Sequence, residues 1–310
     1  MESPLDSRLT DFDAFKETRL KAPAFVSGRP SDPAVPETRR PPSRRLRLTL
    51  GTKQDRDAPL VSCLMPTRGR FHLAKIAVGL FRRQTWPNKE LVVVLHGGGN
   101  ALADWIASLD DPTIRVSNAD ARMTLGELRN HSVAEARGHY ICQWDDDDLS
   151  HPARIEAQMG ALLATRSRAC LFSRVILWFP RTPRLAFTEF HAFEGTLLCE
   201  KAAVPHFPAL SLGEDTPTIT EILKANPFVL LDVPELYVYV AHGSNTWRDA
   251  HMERFWQRAT RRFEGETCRR ATSQLSGVYP LGEYLDGMAQ TGVAAWGVAP
   301  PWPSGTTGYP

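Results

Sequence analysis

Four consecutive aspartates, Asp145-Asp146-Asp147-Asp148, directly follow the apolar run Tyr140 to Trp144 and precede His151-Pro152. Carboxylates this close repel one another unless a cation or hydrogen-bond donors compensate. Oxygen-rich clusters suit hard divalent ions such as Mg2+ or Mn2+, which commonly hold substrate phosphates as well. While the backbone stays extended, Asp145 and Asp147 point to the same side. The same residues also read as an acidic turn before a helix with Pro152 in its first turn, because Asp favours helix N-termini. A second acidic group, Gly213-Glu214-Asp215, stands before Thr-Pro-Thr and an apolar helical stretch. A carboxylate there serves either as a general base toward a hydroxyl or as a helix-start signal.

Three further segments bear on chemistry. Pro66-Thr67-Arg68-Gly69-Arg70 follows the first apolar run and offers backbone amides and arginines to a phosphate, although a Pro-Thr turn with exposed arginines has the same composition. Gly97-Gly98-Gly99 permits close backbone approach to a ligand, but it lacks both the GxGxxG spacing and the Lys-Ser/Thr of a P-loop. His242 sits in His242-Gly243-Ser244-Asn245, and the remaining histidines show no metal-ligand spacing. The five cysteines are widely spaced without a CxxC pair, so neither a disulfide framework nor a zinc site is supported and a reducing cytoplasm is expected.

The elements that must position these residues alternate. Leu60 to Met65 reads as strand, Phe71 to Gln84 as helix, Glu90 to Leu95 as strand, residues 101–109 as helix, and Ile114 to Val116 as strand. Residues 124–136 read as helix and Tyr140 to Trp144 as strand. Strands alternating with helices imply βαβ units and a parallel sheet. The second half is less regular: a helix over Pro152 to Ala164, a strand-like run over 169–179, an extended region ending at 196–199, a helix near Thr218 to Lys224, and a strand over 228–233. A further helix is expected from Arg248 to Arg270. The organisation expected is a leader over 1–58, a nucleotide-binding half over 59–150, an acceptor half over 151–250, and a C-terminal helix with a Pro/Gly-rich tail over 251–310.

Composition sets the bounds. With 310 residues, 42% apolar and 23% charged, the chain has globular averages. The formal net charge of +2 gives no case for a dedicated nucleic-acid binder. The start of the chain has no basic and apolar signal-peptide pattern, and no stretch approaches the roughly 18 apolar residues of a membrane span. The leader carries Arg39, Arg40, Arg44, Arg45 and Arg47, which read as a solvated linker or as a peripheral contact with an anionic membrane surface at its inner, cytoplasmic face.

The order of these segments resembles the inverting family 2 glycosyltransferases of GT-A fold. The resemblance runs from about Pro59 to Trp247 and is most specific in Arg129-Asn130, the small-residue helix, the Gly138-His139-Tyr140 turn and the aspartate cluster with Pro152 downstream. It implies an α/β fold with a Rossmann-like, mostly parallel central sheet flanked by helices and a mixed α+β acceptor half. It further implies a hexosyltransferase-like enzyme that moves a sugar from a nucleotide-diphosphate sugar to a glycan, lipid-linked or small-molecule acceptor with Mn2+ or Mg2+.

By the same resemblance, Asp145 and Asp147 fill the DxD positions at the metal and the donor diphosphate, with Asp146 beside them. Pro66, Thr67 and Arg68 line the nucleotide cleft, and Arg129 reaches toward the base or phosphates. Asp215 matches the catalytic base, with Glu214 adjacent, and His242 stands where some relatives have a histidine near the metal. The chain departs from the family at Leu95-His96, where an acidic pair is common. A carboxylate there would accept from a uracil imide N–H, whereas His96 has a tautomer-dependent pattern, so the nucleobase is left open. On the acceptor side the chain offers Trp178, Phe179, Phe187, Phe190, Phe193 and Trp247, which either stack on sugars or fill the core. Two other readings compete: a metal-dependent nucleotidyltransferase or phosphohydrolase, and a degenerate nucleotide-sugar-binding module without catalysis.

Overall fold

The computed structural model describes residues 58–98, 100–247 and 249–290. All but the last residue of the expected leader, together with Arg248 and the tail bearing Trp296 and Trp302, lies outside these residues.

The first half alternates as its periodicity predicts. In chain order it comprises β1 (Val61–Thr67), α1 (Phe71–Arg82), β2 (Lys89–His96), α2 (Asn100–Ser108), β3 (Ile114–Ala119), α3 (Leu125–Glu135) and β4 (Tyr140–Gln143). β1 and β2 are apolar along nearly their whole length because helices cover both faces of a parallel sheet. α3 begins with a capping box: Glu127 N–H donates to Thr124 Oγ1, and Thr124 N–H donates to Glu127 Oε2 at 2.7 Å.

The second half continues with β5 (Leu149–Ser150), α4 (Arg154–Thr165), β6 (Ala169–Phe172), β7 (Ile176–Phe179), β8 (Arg184–Phe187) and β9 (Leu198–Glu200). After these come α5 (Asp215–Ala225), β10 (Phe228–Leu231), β11 (Tyr237–Val240), α6 (Asp249–Gln257), β12 (Arg261–Glu264), α7 (Gly265–Leu275) and α8 (Leu281–Gln290). A seven-stranded sheet runs in the order β10-β6-β9-β4-β1-β2-β3, parallel except for β9. A five-stranded sheet runs β12-β8-β7-β11-β5. The mostly parallel sheet with helices on both faces is the expected class, and the larger sheet draws strands from both sides of residue 150. One face of that sheet packs Leu73, Phe81, Trp144 and Ile155, while the other packs Leu64, Val92, Leu128, Ile219 and Ile222. Among the described residues no helix is long and apolar enough to cross a membrane.

Two expectations from periodicity need correction. The run over 169–179 is two strands in two different sheets. Ser173 N–H donates to the Leu231 carbonyl at 2.8 Å, the Arg174 guanidinium pairs with Asp232 at 2.6 Å, and Val175 N–H donates to Thr188 Oγ1 at 3.0 Å. These bonds turn the chain from one sheet into the other. The single helix expected over Arg248 to Arg270 is α6, an edge strand and the start of α7. Thr260 N–H donates to the Phe187 carbonyl at 2.9 Å, and β12 then pairs with β8, placing Phe263 inward and its arginine neighbours outward. The short alternation Arg-Arg-Phe-Glu is a strand signal that the flanking helical periods mask. The helix expected near Thr218 starts earlier, at Asp215.

Candidate active site

A cleft of about 940 Å3 opens at the C-terminal ends of β1 and β4, the edge where open α/β sheets bind ligands. Pro66 and Thr67 border it from the end of β1, Arg68 and Arg70 from the β1–α1 turn, the four aspartates from the turn after β4, and Glu214 and Asp215 from the start of α5.

Each aspartate has a different set of partners. Asp145 and Asp147 keep side-chain exposures of 24% and 13%, whereas Asp146 and Asp148 are buried; the backbone turns at Asp146 and Asp147 rather than staying extended. Asp148 accepts from the Tyr237 hydroxyl at 2.7 Å and from Val240 N–H at 2.9 Å, pinning the turn to β11. Its burial drives its carboxyl well above the usual range. Asp146 accepts from Thr67 Oγ1 at 2.5 Å and from the Arg70 guanidinium; burial raises its pKa against the pull of Arg70. Burial would also raise Asp147, but Arg70 Nη1 at 2.8 Å and His242 Nε2 at 3.0 Å outweigh it and hold that carboxyl well below the usual range.

Asp145 is the least engaged of the four, with Arg129 Nη2 at 3.8 Å. Burial pushes its pKa up to about 6, against the charge of Arg129. Gly195 backs it closely: a Cβ at that position would stand 2.9 Å from Asp145 Oδ2, so a larger residue would require the carboxylate to shift.

Arg129 is buried and ties the two walls together, its Nε donating to Glu214 Oε1 at 2.6 Å. This alters what the sequence suggested for both residues. The Glu214 carboxylate, 2% exposed, is committed to the guanidinium, and Arg129 spends its charge on Glu214 and Asp145 within the protein. His242 is fully buried; Ser244 N–H and Oγ approach its Nδ1 at 3.3 and 2.8 Å. An amide donating to Nδ1 favours the tautomer with the proton on Nε2, which then donates to Asp147. His96 is not among the residues lining the cleft. It lies at the end of β2, one residue beyond Leu95, which is in register with Thr67, and its buried Nε2 has no hydrogen-bond partner among the described residues.

The opposite wall is more open. Asp215 is the first residue of α5 and half-buried, and its Oδ1 accepts from the adjacent Thr216 N–H at 2.9 Å. That bond satisfies one amide of the first helical turn, and the carboxylate still faces the cleft. Burial raises its pKa against the pull of Arg129. Nearby, Glu194 Oε2 stands 3.4 Å from His191 Nε2. A chain of rings borders the same wall: Trp247 stacks on His251 at 4.5 Å and 15°, His251 meets Phe255 edge-on at 5.0 Å, and Phe255 lies 5.3 Å from Phe193. Of the aromatics singled out from sequence, Trp178, Phe179 and Phe187 are core, Phe190 is exposed, and Phe193 and Trp247 face the cleft.

Several participants have no local sequence signal. Tyr284, on α8, donates its hydroxyl to the Asp147 backbone carbonyl at 2.5 Å from 137 residues away. Arg70 had been read as one more phosphate-facing arginine of its turn, and His191, Glu194 and His251 lie in no recognisable motif.

Comparison with known proteins follows this geometry. Residues 62–185 match the family model for Glycosyl transferase family 2. Over those residues the chain is similar to the family 2 glycosyltransferases. It is 33% identical over 99 residues to the putative colanic acid biosynthesis glycosyl transferase WcaA of Escherichia coli K12, covering 31% of this chain and 36% of that one. It is 32% identical over 124 residues to the uncharacterized glycosyltransferase MJ1057 of Methanocaldococcus jannaschii, covering 38% and 42%. The match thus spans less than half the length of either curated relative. The crystal structure of S. aureus TarS 1-349 in complex with UDP-GlcNAc superposes with a TM-score of 0.50 at 14% identity, covering 74% of this chain and 71% of that one. The fold is that of the GT-A glycosyltransferases. The family match ends at residue 185, before Glu194, Asp215, Trp247 and α6, so this second wall of the cleft lies beyond it.

Proposed function

We propose that this protein is an inverting glycosyltransferase that moves a sugar from a nucleotide-diphosphate sugar to an acceptor hydroxyl, with Asp215 as general base. The observation that carries the reading is a single cleft with the aspartate cluster on one wall and the half-buried carboxylate of Asp215 on the other. In a single displacement the acceptor oxygen bonds to the sugar C1, the bond from C1 to the diphosphate oxygen breaks, and the hydroxyl proton passes to Asp215. A raised pKa suits a carboxylate that must take that proton near neutrality. Glu214, held by Arg129, keeps the start of α5 in place beside it.

On the donor wall, Pro66, Thr67 and Arg68 border the space for the nucleotide. Among the described residues no three His, Cys, Asp or Glu side chains form a complete metal cage. Mg2+ and Mn2+ are commonly held by one or two carboxylates plus substrate phosphates and water. Asp147 and Asp145 would hold the ion. His242 would join them only as the tautomer protonated at Nδ1; otherwise it orients Asp147. The ion supplies Lewis-acid stabilisation of the departing diphosphate. That the related TarS structure contains UDP-GlcNAc is consistent with a nucleotide-sugar donor here.

The test is incubation with a panel of nucleotide sugars and Mn2+ or Mg2+, following nucleotide release. Nucleoside diphosphate is the expected product. Monophosphate or pyrophosphate would favour nucleotidyl transfer or phosphohydrolysis instead, and binding without turnover would make the protein a nucleotide-sugar-binding module.

A further inference from the structure

We propose that Arg70 is a tethered cation that holds Asp146 and Asp147 in the free protein and excludes the divalent ion until a nucleoside diphosphate draws the guanidinium away. This rests on the proposed nucleotide-sugar reading and specifies the order in which that site fills.

The geometry is specific to Arg70. Its guanidinium contacts Asp146 through Nε and Nη2 and Asp147 through Nη1 at 2.8 Å. The other members of the cluster are engaged elsewhere: Asp148 by Tyr237 and Val240 N–H, and Asp145 by Arg129. Arg70 therefore lies on Asp147, one of the two cleft-facing carboxylates that would hold the ion, and a cation entering beside Asp147 meets the repulsion of a fixed positive charge.

The same residue has somewhere to go. Its side chain is 28% exposed at the cleft rim, while the two carboxylates it touches are 3% and 13% exposed. Gly69, immediately before it, has φ +78° and nothing within 4 Å of where a Cβ would stand. A diphosphate in the cleft offers pairs of oxygens on its tetrahedral phosphates that the planar guanidinium can bind bidentately, as it does a carboxylate. Moving Arg70 from Asp147 to the diphosphate would free a carboxylate ligand and add phosphate oxygens in the same step. Binding of metal and nucleotide would then be strongly cooperative.

The experiment uses the full chain and Mn2+ as probe, with free Mn2+ read by electron paramagnetic resonance. Titrations are run alone and with UDP, GDP, ADP, CDP or dTDP. Wild type should bind Mn2+ weakly alone and at least about tenfold more tightly with a matching nucleoside diphosphate. Arg70→Gln should bind Mn2+ alone at least about tenfold more tightly than wild type. Arg70→Lys, which keeps the charge but loses the fork, should lie between them. If wild type binds Mn2+ as well alone as with nucleotide, or if folded Arg70→Gln binds Mn2+ alone as weakly as wild type does, the role of Arg70 is overturned. Should Arg70→Gln fail to fold, the wild-type pair of titrations decides on its own. Absence of Mn2+ uptake with every nucleotide overturns the proposal together with the metal assignment, while diphosphate release from nucleotide sugars tests the transfer reading separately.

Discussion

On the donor wall of the cleft Asp146, Asp147 and Asp148 each have two partners, drawn from β1, the β1–α1 turn, β11 and the loop after it, and Tyr284 braces the Asp147 backbone from α8. On the acceptor wall Asp215 has one hydrogen bond, to its neighbour's amide, and a chain of rings on loops and on α6, Trp247, His251, Phe255 and Phe193, borders the same side. The donor wall joins segments far apart in sequence through charge-assisted bonds, which fixes carboxylates that would otherwise repel. The acceptor wall leaves its carboxylate and rings available. On the proposed reading the diphosphate is held by the side with the denser hydrogen bonding, and the acceptor by the side that lies beyond the family match.

The bond between the walls is the place to break this contrast first. Arg129→Met should leave Glu214 buried without a cation and destabilise the protein by about 3–5 kcal/mol, read by denaturant titration. A loss below about 1 kcal/mol would mean that the walls are not coupled through Arg129. Next in size, Asp147→Asn should weaken Mn2+-dependent nucleotide binding by about a hundredfold in calorimetry while leaving metal-free acceptor binding unchanged. Wild-type affinity in that variant would remove Asp147 from the donor site.

Trp247→Ala should raise the acceptor KM by about tenfold, with donor affinity unchanged, as expected for losing one stacked ring. Equal effects on both substrates would show that the walls do not divide the work. The smallest effect concerns pH. Only ionised Asp215 can accept a proton, and its pKa is raised by burial. Activity should therefore fall with decreasing pH through a limb lying above the roughly 3.9 of an ordinary aspartate. A kcat/KM profile with that limb at or below the ordinary value would show that the carboxylate gains no basicity from the cleft.

The same contrast explains what was legible in the sequence. The alternation of apolar runs and helical periods predicts β1 to β4 and their helices, and the strand-end placement of Asp145 and Asp147 follows from it. What separates the four aspartates does not, because the partners that distinguish them, Arg70, Tyr237, His242 and Tyr284, come from residues 70 to 284. Likewise Glu214 and Asp215 look interchangeable in sequence, and only Arg129 approaching from α3 separates a buried ion pair from a carboxylate facing the cleft. Periodicity fails at 169–179 and 248–270 for a related reason. A strand that changes sheets and a four-residue edge strand between helices are set by long-range pairing.

The most direct measurement is Asp215→Asn assayed for both donor binding and turnover. The amide preserves the acceptor of the Thr216 N–H bond, so stability should change by no more than about 1 kcal/mol. Nucleotide affinity should be retained, and turnover should drop by about a hundredfold to ten-thousandfold through loss of the proton acceptor. A variant that turns over at near wild-type rate but melts well below it would contradict the account, making Asp215 a helix-start residue and moving the search for the base to Glu194.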